Sequence, residues 1–148
     1  MESPEIKTSE IAGALFDGNF NCAQSVFAAF ASQLGMDEGL MLKMASPFGG
    51  GVSRRGHICG AVTGGLMALG VARGADTPLG KEPAYRLGQE FMTRFEARHG
   101  SIMCRVLLDF DISTEAGWQQ AREKGLFKTI CPQFVRDAVE IAQDMLDK

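Results

Sequence analysis

The residues of this 148-residue chain best equipped for chemistry are its four cysteines, Cys22, Cys59, Cys104 and Cys131. A thiolate is a nucleophile, a redox partner and a soft metal ligand, so four of them define a short set of chemistries. They are separated by 36, 44 and 26 residues, with no Cys-x-x-Cys, which argues against a zinc ribbon or a thioredoxin-like motif. What they share is position. Each falls at or within one turn of a predicted helix start, where unpaired backbone N–H groups and the helix dipole favour an anion. The expectation is four acidic thiols presented by converging helix starts to one site. The competing reading is that they pack as small hydrophobic residues.

The elements that must carry them read as helices. Apolar residues from Ile6 to Phe16 recur at helical spacing, and Gly18 is placed to stop the run. Asn21, with Gln24 three residues on, forms a capping box that puts Cys22 in the first turn of a helix extending to Gly35. A shorter helix runs from Asp37 to about Ala45. Next comes a loop rich in glycine, with Gly49, Gly50 and Gly51, and Cys59 then opens a helix on which Gly60, Gly64 and Ala68 line one face beside Ala61, Gly65 and Leu69. So flat a face lets a neighbouring helix come unusually close, which places this element at the centre of the bundle. Glu82-Pro83 starts a helix that stops at Gly100, Ser101 caps the one bearing Cys104, Ser113 or Thr114 caps another, and Cys131-Pro132 opens the last. No segment alternates as a strand would. The class expected is all-α, one domain over residues 1–148, a compact bundle of seven or eight helices around a glycine- and alanine-rich one.

Composition narrows the functions further. The formal net charge is -3, from 15 basic and 18 acidic residues without long runs, so neither nucleic acid nor an anionic membrane is an expected partner. The apolar run from Ile58 to Ala72 is too short and too interrupted to span a bilayer. The N-terminus has no apolar core of the kind a secretion signal needs, which points to the cytoplasm, where cysteines serve metal binding or thiol chemistry more often than permanent cross-links. Gly51 to Gly56 has the Gly-x-x-x-x-Gly spacing of a phosphate loop, but His57 and Ile58 stand where lysine and a hydroxyl residue are required. Arg54, Arg55 and His57 are candidates to tune Cys59 through their positive charge, and His99 reads as a favourable residue at a helix end.

Asn21-Cys22-Ala23-Gln24, the Phe48-Gly49-Gly50-Gly51 loop leading to Cys59-Gly60-Ala61-Val62-Thr63-Gly64, and the isolated Cys104 and Cys131 together resemble the C-GCAxxG-C-C family of redox-active proteins, over roughly residues 20 to 140. One departure is that Ile58, not glycine, precedes Cys59. The resemblance implies a helical domain whose four cysteines do redox chemistry, with an iron–sulfur cluster as the cofactor suggested for the related domain of split-Soret cytochromes. Gly49, Gly50, Gly51, Gly60, Ala61 and Gly64 are then expected to surround the cofactor. Disulfide cycling without a cofactor, or a structural zinc site on the same cysteines, are the other chemistries. Either redox reading needs a partner protein the sequence does not identify. A different class is a helical interaction module whose glycine-faced helix mediates assembly, including with a second copy of the chain.

Overall fold

The structure, a computed structural model, describes residues 6–148; Met1–Glu5, which include most of the start read as lacking a secretion signal, lie outside the described residues. Among the described residues ten α-helical segments follow one another: α1 Thr8–Asp17, α2 Cys22–Ala29, α3 Ala31–Leu34, α4 Glu38–Ala45, α5 Gly60–Arg73, α6 Lys81–His99, α7 Cys104–Leu108, α8 Glu115–Glu123, α9 Leu126–Thr129 and α10 Cys131–Leu146. Short 3-10 turns over Ser46–Phe48 and Pro78–Gly80 join them. Among the described residues there is no β-strand, and the protein is all-α. Eight of the helices have five residues or more; α3 and α9 are single turns. The sequence reads α2 and α3 as one helix, but the chain bends at Phe30, which caps the first and begins the second before Gly35 closes it in the left-handed conformation.

The capping box at α2 is present in both directions, the Gln24 N–H donating to Asn21 Oδ1 at 2.8 Å and the Asn21 N–H to Gln24 Oε1 at 3.0 Å. Thr114 caps α8 through the Gly117 N–H. Ser101 does not cap α7. Met103 holds that position, and the Ser101 hydroxyl accepts the Met103 N–H instead.

The centre of the bundle is shared by α2, α5 and α10. Val26, Phe27, Val62, Leu69, Phe91, Phe95, Val135 and Val139 meet there, almost wholly removed from water. The small face of α5 makes this possible. A Cβ on Gly64 would lie 2.7 Å from the Ala23 carbonyl oxygen and one on Gly60 2.9 Å from the Ala23 nitrogen, so only glycine lets α5 rest directly on the backbone of α2. Gly65 does the same for the Phe91 ring of α6. Among the described residues, no helix is long and apolar enough to cross a membrane.

Candidate thiol site

Cys22 is the first residue of α2, Cys59 caps α5, Cys104 is the first residue of α7 and Cys131 the first of α10. All four line one cavity of about 640 Å³, together with Gly49, Gly50, Gly51, Gly60, Arg54 and a wall of Phe16, Trp118, Phe127 and Phe134. The cysteines are free, Cys22 half-buried and the other three buried.

Two local devices bring them together. Ile58 and Met103 pair in an isolated antiparallel bridge, in which the Cys59 N–H donates to the Ile102 carbonyl at 2.8 Å and the Cys104 N–H to the His57 carbonyl at 2.6 Å. That bridge holds Cys59 beside Cys104 although 44 residues separate them. On the other side, Gly60 lets the start of α5 meet the start of α2, since a Cβ there would lie 3.1 Å from that of Cys22. The sequence gives no sign of the bridge, which is too short to produce an alternating pattern.

The glycine loop forms the outer wall. Gly50, Gly51, Val52, Ser53 and Arg54 all have φ between +50° and +67°, a left-handed turn of five successive residues. For the three with side chains this costs about 1–2 kcal/mol each. Backbone hydrogen bonds from Ser53 to Pro47, Arg54 to Gly49, Gly56 to Gly50 and His57 to Gly51 hold the turn closed, and the Arg54 guanidinium lies 4.4 Å over the Trp118 ring. Gly49 packs on the Asn21 side chain and Gly51 on Cys104, each at a distance that a Cβ would violate. Ala61 and Gly64 lie outside the cavity lining, buried in the α5 packing.

The protonation of the thiols departs from the expectation that all four would be acidic. Burial pushes Cys59 up to about 12, even though the N–H groups of Ala61 and Val62 pull the other way, and burial likewise pushes Cys104 up to about 12. Cys22 is raised well above the usual thiol range, chiefly because it donates its proton to Cys131, and Cys131 is lowered because it accepts that hydrogen bond. Taking an ion out of water costs more than a helix dipole returns, so the helix start alone does not ionise a thiol this deep. Arg55 and His57 are exposed and do not line the cavity, and none of Arg54, Arg55 and His57 is among the groups acting on Cys59.

The donor set is four thiols, Cys59 with the Ala61 and Val62 N–H groups behind it, and thiolates are the ligand type of iron–sulfur clusters and of zinc. Among the described residues no three His, Cys, Asp or Glu side chains stand close enough to share a single metal ion. The four thiols line the walls of one cavity instead of meeting at a point.

Sequence reasoning missed a second polar group behind this wall. His99, expected only as a favourable helix end, is packed between the rings of Phe95 and Phe134 with its Nε2 2.8 Å from Asp137 Oδ2. The available signal was Asp137 itself, an acidic residue on the apolar face of the last helix.

Four cysteines at helix starts thus line a common cavity in an all-α bundle. Residues 20–145 match the family described as "Putative redox-active protein (C_GCAxxG_C_C)", and the chain belongs to that family. It is 32% identical over 136 residues to an uncharacterized protein of Archaeoglobus fulgidus, an alignment that spans 85% of this chain and 84% of the relative. No solved structure matches.

Proposed function

We propose that this protein is a cytoplasmic electron carrier in which Cys22, Cys59, Cys104 and Cys131 together hold an iron–sulfur cluster. The observation that carries the reading is that cysteines from four helix starts, distant in sequence and none cross-linked, line one cavity of about 640 Å³. Bound there, a cluster would supply one-electron chemistry at a potential set by burial and by hydrogen bonds to sulfur. The protein's part is to keep four sulfurs in place and water out. Phe16, Trp118, Phe127 and Phe134 give the low dielectric, and the N–H groups of Ala61 and Val62 stabilise negative charge on Cys59. Burial makes Cys59 and Cys104 hold their protons tightly, so loading must release them and is favoured by rising pH.

The test is anaerobic purification followed by iron and acid-labile sulfide analysis and an absorption spectrum. Stoichiometric iron and sulfide with a visible band that bleaches on reduction are expected. Four free, inert thiols without iron in the freshly isolated protein would sink the proposal and leave the interaction-module reading.

The hydrogen bond between Cys22 and Cys131 supports a second reading, disulfide exchange. The Cys131 thiolate would attack one sulfur of a substrate disulfide and expel the other as a thiolate. Cys22 would then attack the Cys131 sulfur, forming the Cys22–Cys131 disulfide and releasing the second substrate thiol, so that the protein is oxidised by two electrons and the substrate reduced by two. Loss of two free thiols on air exposure, reversed by reductant and without metal, identifies this case.

A further inference from the structure

We infer that His99 is a proton-uptake site coupled to the thiol site, binding a proton when the site behind Phe134 gains an electron. The inference rests on the redox reading of the cavity. His99 ends α6, and its ring meets Phe134 edge-on with centroids 4.9 Å apart while Phe95 covers another side at 4.7 Å. Phe134 lines the cavity one turn after Cys131, so a single ring separates the imidazole from the cavity.

The imidazole is held in a charged network that nothing in the thiol chemistry uses. Its side chain is 13% exposed and that of Asp137 12%, and Nε2 stands 2.8 Å from Asp137 Oδ2. The two atoms are close but not at a hydrogen-bond angle, and Nε2 is a buried nitrogen without a hydrogen-bond partner, so the ring presents an unpaired nitrogen to a carboxylate whose charge would hold a gained proton. Asp137 Oδ1 accepts from Gln133 Nε2 at 2.8 Å and lies 3.4 Å from Arg98 Nη1, and Arg98 in turn contacts Glu140 at 3.2 Å. Thus α10 faces the histidine with Phe134 and Asp137, and Arg98 of α6 links Asp137 to Glu140.

An electron entering the cavity places one negative charge behind Phe134. Apolar rings screen that charge poorly, so reduction favours the imidazolium and a proton moves from water to the ring. Charge is balanced by one electron from the reductant and one proton from solvent, with no bond broken. By reciprocity, protonating His99 makes the site easier to reduce.

The chain has two histidines, and because His57 stands two residues before Cys59 the measurement is read on His99 alone. Imidazole resonances of the anaerobically isolated protein are titrated by NMR before and after dithionite, His57→Gln supplying the assignment. The titration midpoint of His99 should rise by about one pH unit on reduction, the size expected of a unit charge on the order of 10 Å away at an effective dielectric near 20. Proton uptake followed with an indicator dye between the two midpoints should accompany the electron in the natural protein and disappear in His99→Gln. A His99 midpoint identical in both states, or equal uptake in His99→Gln, overturns the inference while leaving the redox site intact. A protein that accepts no electrons from dithionite overturns both, and shows it before any titration begins.

Discussion

Cys59 and Cys104 are brought together by backbone, through the Ile58–Met103 bridge, whereas Cys22 and Cys131 meet through their own side chains. Cys59, Cys104 and Cys131 are 4%, 7% and 6% exposed, so burial does not distinguish them. Their protonation nevertheless diverges, Cys59 and Cys104 rising to about 12 while Cys131 falls below the usual thiol value. All stand at helix starts. A shift of three units corresponds to about 4 kcal/mol, against at most about 2 kcal/mol from a well-placed helix terminus. At this depth the two backbone N–H groups at Cys59 do not offset burial, whereas the Cys22 thiol donating to Cys131 does.

The two pairs should break independently. Gly51→Ala places a Cβ 2.7 Å from that of Cys104 at a φ of +66°, and Gly60→Ala places one 3.1 Å from that of Cys22. The first adds about 1–2 kcal/mol of backbone strain to an overpacking cost of about 1–3 kcal/mol, and the second incurs the overpacking alone, eased by better helix propensity. Urea denaturation should rank Gly51→Ala as the more damaging. Thiol mapping should find the Cys22–Cys131 pattern kept in Gly51→Ala and lost in Gly60→Ala; the same pattern in both variants would show that the pairs are not separable.

Alkylation of the metal-free protein reads the same contrast kinetically. At pH 8 the thiolate fraction of Cys131 exceeds that of Cys59 or Cys104 by about a thousandfold or more, and the greater intrinsic nucleophilicity of the less acidic thiols returns about thirtyfold of it. Iodoacetamide should therefore modify Cys131 at least about thirtyfold faster, as peptide mass analysis would measure. Cys22→Ala, which removes the donor, should erase most of the advantage; a Cys131 that stays fast in that variant would place the cause elsewhere.

The all-α class, the Asn21–Gln24 capping box, the left-handed stops at Gly35 and Gly100 and the glycine face of α5 were legible because each depends on residues within one or two turns of one another. The convergence of the cysteines was legible only as a coincidence of helix starts. What joins them, the Ile58–Met103 bridge and the Gly60 contact, links distant parts of the chain and leaves no local pattern. The same holds for His99 and Asp137, whose meeting depends on how α6 lies across α10. Thiol protonation could not be read either, because helix starts are visible in a sequence and burial of one sulfur is not.

Stability at alkaline pH follows from the bridged pair. Cys59 and Cys104 bind their protons more tightly in the folded chain than in the unfolded one, so their contribution is fully present below about pH 9 and is lost as pH rises towards 12. One unit above the ordinary thiol value the loss is about 1 kcal/mol per thiol. Urea midpoints at pH 8 and pH 10 should therefore separate in the metal-free protein, and replacing both cysteines by alanine should narrow the separation, what is left coming from Cys22, whose thiol is also raised. An equal separation in that double variant would assign the alkaline loss to other groups.

The smallest effect isolates what glycine contributes at the site. Gly64 and Gly13 both lie inside helices, yet a Cβ on Gly64 meets the Ala23 carbonyl oxygen at 2.7 Å while one on Gly13 meets nothing within 4 Å. Both residues impose the same entropic cost on their helices, so their alanine variants differ only in what the new methyl touches. Gly13→Ala should stabilise the protein by up to about 1 kcal/mol, raising Tm by about 2–4 °C, and should leave thiol reactivity unchanged. Gly64→Ala should lower Tm despite the same gain in helix propensity, because α5 must move off α2 and carry Cys59 away from Cys22. If both variants gain stability alike, the close seating of α5 on α2 is not what holds the two cysteine pairs around one cavity.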